Sequence, residues 1–274
     1  MTDLQQWLEA DILSLGVAAD EVRRRTLGSA TVTYLRVHVM TAAHLAIGAT
    51  VPEAAAEVRV HELPATLDQA CAQVRFLHAI AGRRRVAAFS MADIEERAAG
   101  GWGTVANVLQ ALVAAGIDDV AELPVDRLAD LSASVAALRR AGADPQRVTL
   151  SHAITDRKLQ IIETVREVFA AVSSLRRFSP LPRVAPADKP TTGYDDVRMV
   201  ALARLGLAAA SIEVDWSLYG PKLAQVALTF GADHLDAVSA GDDTTLGPRR
   251  STIEDVERNV KAAGFVPQEY SPVG

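Results

Sequence analysis

Val214-Asp-Trp-Ser-Leu-Tyr-Gly-Pro-Lys-Leu-Ala-Gln-Val-Ala-Leu-Thr-Phe-Gly-Ala-Asp-His-Leu-Asp-Ala-Val238 is the stretch that decides the fold. It opens at the end of one strand-like run, Ser211–Asp215, passes through a helical segment, and closes in a second run, Leu235–Ser239. Strand, helix and strand in that order make a unit whose strands lie parallel, because the helix carries the chain back over the sheet. The pattern continues upstream at Thr31–Met40, Glu57–Glu62, Arg85–Ser90, Asp118–Glu122, Arg147–Ser151 and Ala170–Leu175, which brings the strand candidates to eight. Eight such units predict an α/β fold, a (βα)8 TIM-type or partial barrel.

Helix limits are written in local chemistry. Thr66-Leu-Asp-Gln69 and Ser251-Thr-Ile-Glu254 read as capping boxes, and Gly142 and Gly264 stand where helices stop. An extra N-terminal helix, Thr2–Leu27, precedes the first strand; Leu4, Trp7, Leu8, Ile12, Leu13 and Leu15 give it an apolar face for packing on the barrel. Arg23-Arg24-Arg25 closes it and reads as a solvated helix end that complements the dipole. Nothing suggests a linker, so residues 1–274 are expected to form a single barrel domain, with 1–28 as the helix packed on it.

Composition narrows the function classes. Apolar residues make up 49% of the 274, ample for a large core, and the net charge of −6 gives no basic footprint for nucleic acid. No apolar run reaches the ~18–20 residues of a membrane span. The N-terminus lacks the layout of a signal peptide, and a single cysteine fits a reducing compartment, so a cytoplasmic protein is expected.

Barrel sites gather at the C-terminal ends of strands. The candidates there are His38, His61, Glu62, Ser90, Glu122, His152, Arg176, Asp215 and Trp216, with Asp93 and Asp236 beside them. Asp215 is the leading ligand-facing carboxylate, and Trp216 is placed either to stack on a base or aromatic acid or to pack. His38, His61, His152 and Asp215 offer imidazole and carboxylate groups for zinc, yet no HxH or HExxH spacing supports a metal, and histidines hydrogen-bonded in the barrel wall explain the pattern equally. Leu35-Arg-Val-His38 and Val58-Arg-Val-His61 repeat one phase, so Arg36 with His38, and Arg59 with His61, share strand faces. Turned inward they form a cationic patch; turned outward they lie under the helices. Lys222 and Gln225 fall on the helix after the seventh strand, and Cys71 reads as a small core residue. Two pieces are irregular: Thr41–Ala56, a lean first crossover with little more than a turn or two of helix at Ala42–Ile47, and the proline-rich Phe178–Gly193, a loop after the sixth strand.

From Thr191 to Phe265 the chain resembles the C-terminal block of the radical S-adenosylmethionine (SAM) enzymes of the futalosine menaquinone pathway, the aminofutalosine synthase and dehypoxanthine futalosine cyclase family. Thr192–Leu205, Gly220–Leu228 and Phe230–Asp236 carry the likeness; Trp7–Leu13, Val32–His38 and Ala88–Ile94 extend it, and enzymes of deazaflavin biosynthesis share much of it. The resemblance implies a barrel of the radical SAM type with a 4Fe–4S cluster held by CxxxCxxC. Here Met40-Thr-Ala-Ala-His-Leu45 stands where family members run into those cysteines, and Cys71 is alone. His61-Glu-Leu-Pro64 and Glu122-Leu-Pro124 replace two glycine-rich segments of the family. The expectation is a degenerate homologue, a pseudoenzyme without iron–sulfur cluster or SAM. It is expected to be linked to menaquinone biosynthesis and to bind a nucleoside-like or aromatic-acid metabolite or a partner enzyme. Two alternatives stand beside it: a repurposed lyase or hydrolase with histidine and carboxylate groups and zinc, and a structural partner of an active radical SAM paralogue. A homo-oligomer is compatible with each.

Overall fold

Glu57-Val-Arg-Val60, Arg147-Val-Thr149, Glu213-Val-Asp215 and His234-Leu-Asp236 alternate polar and apolar residues, so each segment has one polar and one apolar face. Nearly all of these residues are buried, the charged ones included. A polar face that is buried in a parallel sheet has one place to go: inside a closed barrel, with the apolar face under the helices.

The computed structural model describes residues 4–28, 30–41, 50–154, 156–172, 174–184, 191–241 and 252–271. Its strands are β1 (Thr31–Val39), β2 (Glu57–Val60), β3 (Arg85–Ser90), β4 (Asp119–Pro124), β5 (Asp144–Pro145), β6 (Val148–Leu150), β7 (Arg177–Pro182), β8 (Ser211–Asp215), β9 (His234–Ser239) and β10 (Val266–Glu269). The order β1-β2-β3-β4-β6-β7-β8-β9 returns to β1, with Thr33 beside His234 and Tyr34 beside Leu235, and closes an eight-stranded parallel barrel. The short β5 extends the start of β4, and β10 flanks the lower half of β1. The fold is an α/β barrel of the TIM type, as the alternation predicts, and it is closed rather than partial.

Helices α1 (Ile12–Leu27), α2 (Leu67–Ala81), α3 (Met91–Arg97), α4 (Val105–Ala115), α5 (Leu131–Ala141), α6 (Lys158–Ala171), α7 (Gly193–Gly206), α8 (Trp216–Thr229) and α9 (Ile253–Ala262) form the outer layer. The Thr66 capping box forms in both directions at the start of α2, with Thr66 and Gln69 each bonded to the other's backbone N–H at 3.3 Å. A second box, Thr192 with Asp195, starts α7. Gly142 ends α5 in the left-handed region, at φ 72°.

Four expectations change. The sixth strand is not Ala170–Leu175: α6 runs through Ala171, and Val165, Val168 and Val172 are buried at helical spacing. The true strand, β7, contains Pro180 and Pro182, which lack the N–H a ladder needs. It tolerates them because its pairing with β6 is irregular, from Val148 beside Phe178 to Leu150 beside Pro182. Second, the N-terminal helix is broken: a 3-10 turn at Leu4–Trp7 precedes α1, which restarts where Asp11 accepts from the N–H groups of Leu13 and Ser14. Leu13 consequently faces solvent, 74% exposed. Third, Arg23 is not solvated; it is buried, pairs with Asp20 and lies 4.1 Å from the Phe265 ring centroid, while Arg24 stays exposed. Fourth, α9 is capped by Thr252 through the Asp255 N–H rather than by Ser251, which lies outside the described residues. The short helix expected at Ala42–Ile47 and residues 185–190 of the proline-rich segment also lie outside them.

Candidate functional site

The barrel is filled by ions. From β2, Arg59 donates to Glu57 at 2.7 Å and, with both terminal nitrogens, to Asp236 of β9 at 3.0 Å each. Arg147, just before β6, reaches across the interior to Glu213 of β8 at 3.0 Å, Asp236 at 3.4 Å and Glu57 at 3.9 Å. Ser179 of β7 donates to Glu213 at 2.6 Å. All five charged side chains are 0–1% exposed. Burial disfavours charge on Asp236, but Arg147 and Arg59 outweigh it and hold its carboxyl well below the usual range. Burial pushes the Glu213 carboxyl up against the pull of Arg147, so Glu213 is the member of the layer readiest to carry a proton. A proton there leaves two guanidiniums facing two carboxylates.

Above this layer, toward the strand C-termini, stands a second cluster. Arg183, one residue past β7, pairs with Glu122 of β4 at 3.2 Å and with Asp215 at the end of β8, and lies 3.8 Å from Asp236. Its side chain is 13% exposed, against 12% for Glu122 and 9% for Asp215, so this cluster borders the mouth rather than the interior. Asp215 also accepts from Ser217 at 2.7 Å and from the Leu218 N–H at 2.9 Å, which starts α8. Burial acts against the charge of Glu122, but Arg183 and His61 bring its carboxyl down; burial holds the imidazole of His61 below its ordinary range. Ser90, buried and opposite Glu122 in the ladder, has a hydroxyl with no hydrogen-bond partner. Beside it Phe89 takes φ 63°, and Ala237 next to Asp236 takes φ 54°. Left-handed backbone costs a residue with a side chain ~1–2 kcal/mol, and such strain gathers at sites. Both instances lie at this end of the barrel.

The nine candidates separate accordingly. Glu122 and Asp215 pair with Arg183, His61 lies within electrostatic reach of Glu122 and Arg183, Ser90 is opposite Glu122 in the ladder, and His38 is buried on β1. Glu62 is exposed beyond β2. His152 is exposed, its ring 3.1 Å from Asp126, a residue that also binds the Ser151 and His152 N–H groups. Trp216 is 2% exposed at the first turn of α8 and is packing, not a stacking platform. Arg176 is at the wrong end: with β7 starting at Arg177, it sits at the base and donates to the carbonyls of Leu175 and Phe169. Arg59 does face inward, but neutralised; Arg36 instead pairs with Glu269 of β10 at 2.7 Å. Arg183, Arg147, Glu57 and Glu213 are absent from the sequence-based candidates.

Neither group that the sequence raised fits. A radical SAM cluster needs thiolate ligands; Cys71 is the only cysteine of these 274 residues, and it is buried in α2. His38, His61, His152 and Asp215 do not converge. The described residues bring together Glu213, His234 and Asp236 instead, with one potential ligand atom each within 4.8 Å of the others. Arg147 and Arg59 already hold those carboxylates and occupy the role a cation would take.

No family model matches the chain. It is 26% identical over 110 residues to the 5-amino-6-(D-ribitylamino)uracil–L-tyrosine 4-hydroxyphenyl transferase of Methanocaldococcus jannaschii, covering 37% of this chain and 30% of that enzyme. The match thus spans less than a third of the relative's length. Among solved structures, methylornithine synthase superposes with a TM-score of 0.68 at 13% identity, over 97% of this chain and 93% of that one. The FeFe-hydrogenase maturase HydG from Carboxydothermus hydrogenoformans gives 0.60 at 13% identity, over 97% and 77%. At such identities the likeness is one of fold, a closed parallel α/β barrel. No helix among the described residues is long and apolar enough to cross a membrane.

Proposed function

We propose that this chain is a cluster-free member of the radical SAM barrel class that holds a small metabolite at the strand C-terminal mouth, in a reaction sequence linked to menaquinone. The observation that carries the reading is the stacking of two ion clusters: guanidiniums and carboxylates fill the interior, and above them Arg183 sits between Glu122 and Asp215 at the rim. Arg183 supplies the charge for a carboxylate or phosphate of the ligand. Asp215 and Glu122 hold Arg183 in place and accept from ligand hydroxyl or amide groups, and the Ser90 hydroxyl adds a donor. A nucleoside-like compound or an aromatic acid fits this polar, rigid rim; the partial relative's name, which joins a ribitylaminouracil to tyrosine, supports both classes. A cytoplasmic location and a homo-oligomeric state belong to the same reading.

Two other readings each have one supporting observation. A lyase or hydrolase with zinc has the convergence of Glu213, His234 and Asp236, but it requires the metal to displace Arg147 and Arg59 from those carboxylates; the filled interior favours a structural partner of a radical SAM paralogue. Native mass spectrometry with metal analysis of the purified chain and of Arg183→Gln separates the three. A co-purified nucleoside or aromatic acid that R183Q loses is the expected result. Stoichiometric zinc establishes the second reading, and a ligand-free, metal-free chain that captures a radical SAM paralogue the third; either sinks the proposal.

A further inference from the structure

The opposite end of the barrel carries a cavity that the mouth does not use. It measures about 610 Å³, within the ~300–1,000 Å³ of metabolite pockets, and opens among the N-terminal ends of β1, β3, β4, β7, β8 and β9. Barrel bases ordinarily serve stability rather than binding, so a polar hollow there needs a reason. We propose that it is a second binding site, for a small organic oxyanion, a carboxylate or a phosphate monoester, with Arg177 as its charge, Tyr270 as its wall and His234 in its floor.

The argument starts from which charges are spent. Asp119 accepts from Arg85 and Gln146, and Asp144 accepts from Ser174 at 2.5 Å. Arg176 binds the Leu175 carbonyl at 2.7 Å through one terminal nitrogen. Arg177 is different: its guanidinium makes no hydrogen bond and no ion pair among the described residues, and its Nη1 is buried without a partner. The Tyr270 ring lies against it, 4.4 Å from the guanidinium carbon to the centroid, and the His234 imidazole is within its electrostatic reach. An aromatic face steadies a cation but leaves the N–H groups unanswered in the guanidinium plane, where a carboxylate or phosphate oxygen binds best.

His234 gives the second, independent sign. It is 1% exposed, its Nδ1 lies 2.7 Å from the Thr33 hydroxyl, its ring stands edge-on to Tyr270 at 5.9 Å, and its Nε2 has no partner. Thr33 Oγ1 also lies 3.4 Å from the Asp233 carbonyl, so the ring tautomer decides whether Nε2 donates to a ligand oxygen or accepts from a ligand hydroxyl; in both it is a buried polar atom with no protein partner among the described residues. Buried polar atoms are almost always paired, so an unpaired guanidinium nitrogen and an unpaired ring nitrogen on two residues lining one cavity point to a polar ligand, and the cation makes that ligand an anion. Tyr270 is held there by its own N–H, which donates to the Tyr34 carbonyl at 2.8 Å, so the segment after β10 forms part of the site.

Calorimetric titration of the full chain with inorganic phosphate, and separately with acetate, against chloride of matched ionic strength tests this. A saturable site that persists when Arg183 is replaced is expected, and the tighter of the two anions there tells a phosphate ester from a carboxylate. Arg177→Gln should weaken binding at least tenfold with an unchanged circular dichroism spectrum, and R183Q at the mouth should bind as the parent does. If R177Q does not fold, Tyr270→Leu replaces it, with a loss of about three- to tenfold from the missing cation–π wall. Absence of a saturable site for either anion, parental affinity in R177Q or Y270L, or loss of binding in R183Q would overturn the proposal.

Discussion

Two ion clusters occupy the barrel, and they differ in depth rather than chemistry. The lower one, Glu57–Arg59–Asp236–Arg147–Glu213, is sealed at 0–1% exposure and touches four strands or their ends. The upper one, Glu122–Arg183–Asp215, is built from the same residue types at 9–13% exposure and ends where the chain turns out of the barrel. Depth sets what each is able to do. Sealed ions have only one another to face, Arg59 bonding Glu57 and Asp236 and Arg147 facing Glu213 and Asp236, which makes the lower cluster a plug that ties the strands together. The upper ions have solvent within reach and can exchange a partner for a ligand.

The comparison breaks first at Asp236, which touches both lower arginines. Asp236→Asn leaves two buried guanidiniums short of a countercharge, and unfolding in urea should show a loss of about 3–5 kcal/mol. Glu122→Gln in the upper cluster should cost less, about 1–2 kcal/mol, because Arg183 keeps Asp215 and gains water. Equal losses from the two substitutions would erase the distinction between plug and rim.

Acid sharpens the picture. Burial, with Arg177 next, holds the His234 imidazole well below its ordinary range, and burial lowers His61 as well. A histidine with a depressed folded pKa contributes stability that is complete above the unfolded value of ~6.5 and falls as the pH drops toward the folded one, by up to ~1.4 kcal/mol per pH unit per group. Denaturation between pH 7 and pH 5 should show this slope, and His234→Gln should flatten it by one group; an unchanged slope would place the proton uptake elsewhere. On the outer surface, Lys261→Ala removes an exposed pair with Glu257 and should shift stability by less than about 0.5 kcal/mol.

The same physics explains what could be read in advance. Strands such as Arg85–Ser90 and Ser211–Asp215 were legible to the residue, because β-branched and alternating side chains suit a pleated wall. Glu122 and Asp215 followed from the rule that barrel sites lie at strand ends. Arg183 did not, because Pro180 and Pro182 made its strand look like a loop while Ala170–Leu175, where the helix ends, looked like the strand. That single misplacement moved attention to Arg176, at the base. The lower cluster left a signal of its own: charged residues two apart in Glu57-Val-Arg59, Glu213-Val-Asp215 and His234-Leu-Asp236. Parallel strands buried on both faces are ordinarily apolar throughout, so strict alternation within them marks a polar interior. Which charge meets which across the barrel is set by closure, and no local pattern contains it.

The proposed function requires that arginine–carboxylate pairs, and no iron–sulfur cluster, occupy the barrel. Anaerobic reconstitution of the purified chain with iron and sulfide, followed by an iron count per chain, tests it most directly. No stoichiometric iron and no iron–sulfur absorption is the expected result; about four iron atoms per chain with matching sulfide would contradict the cluster-free reading.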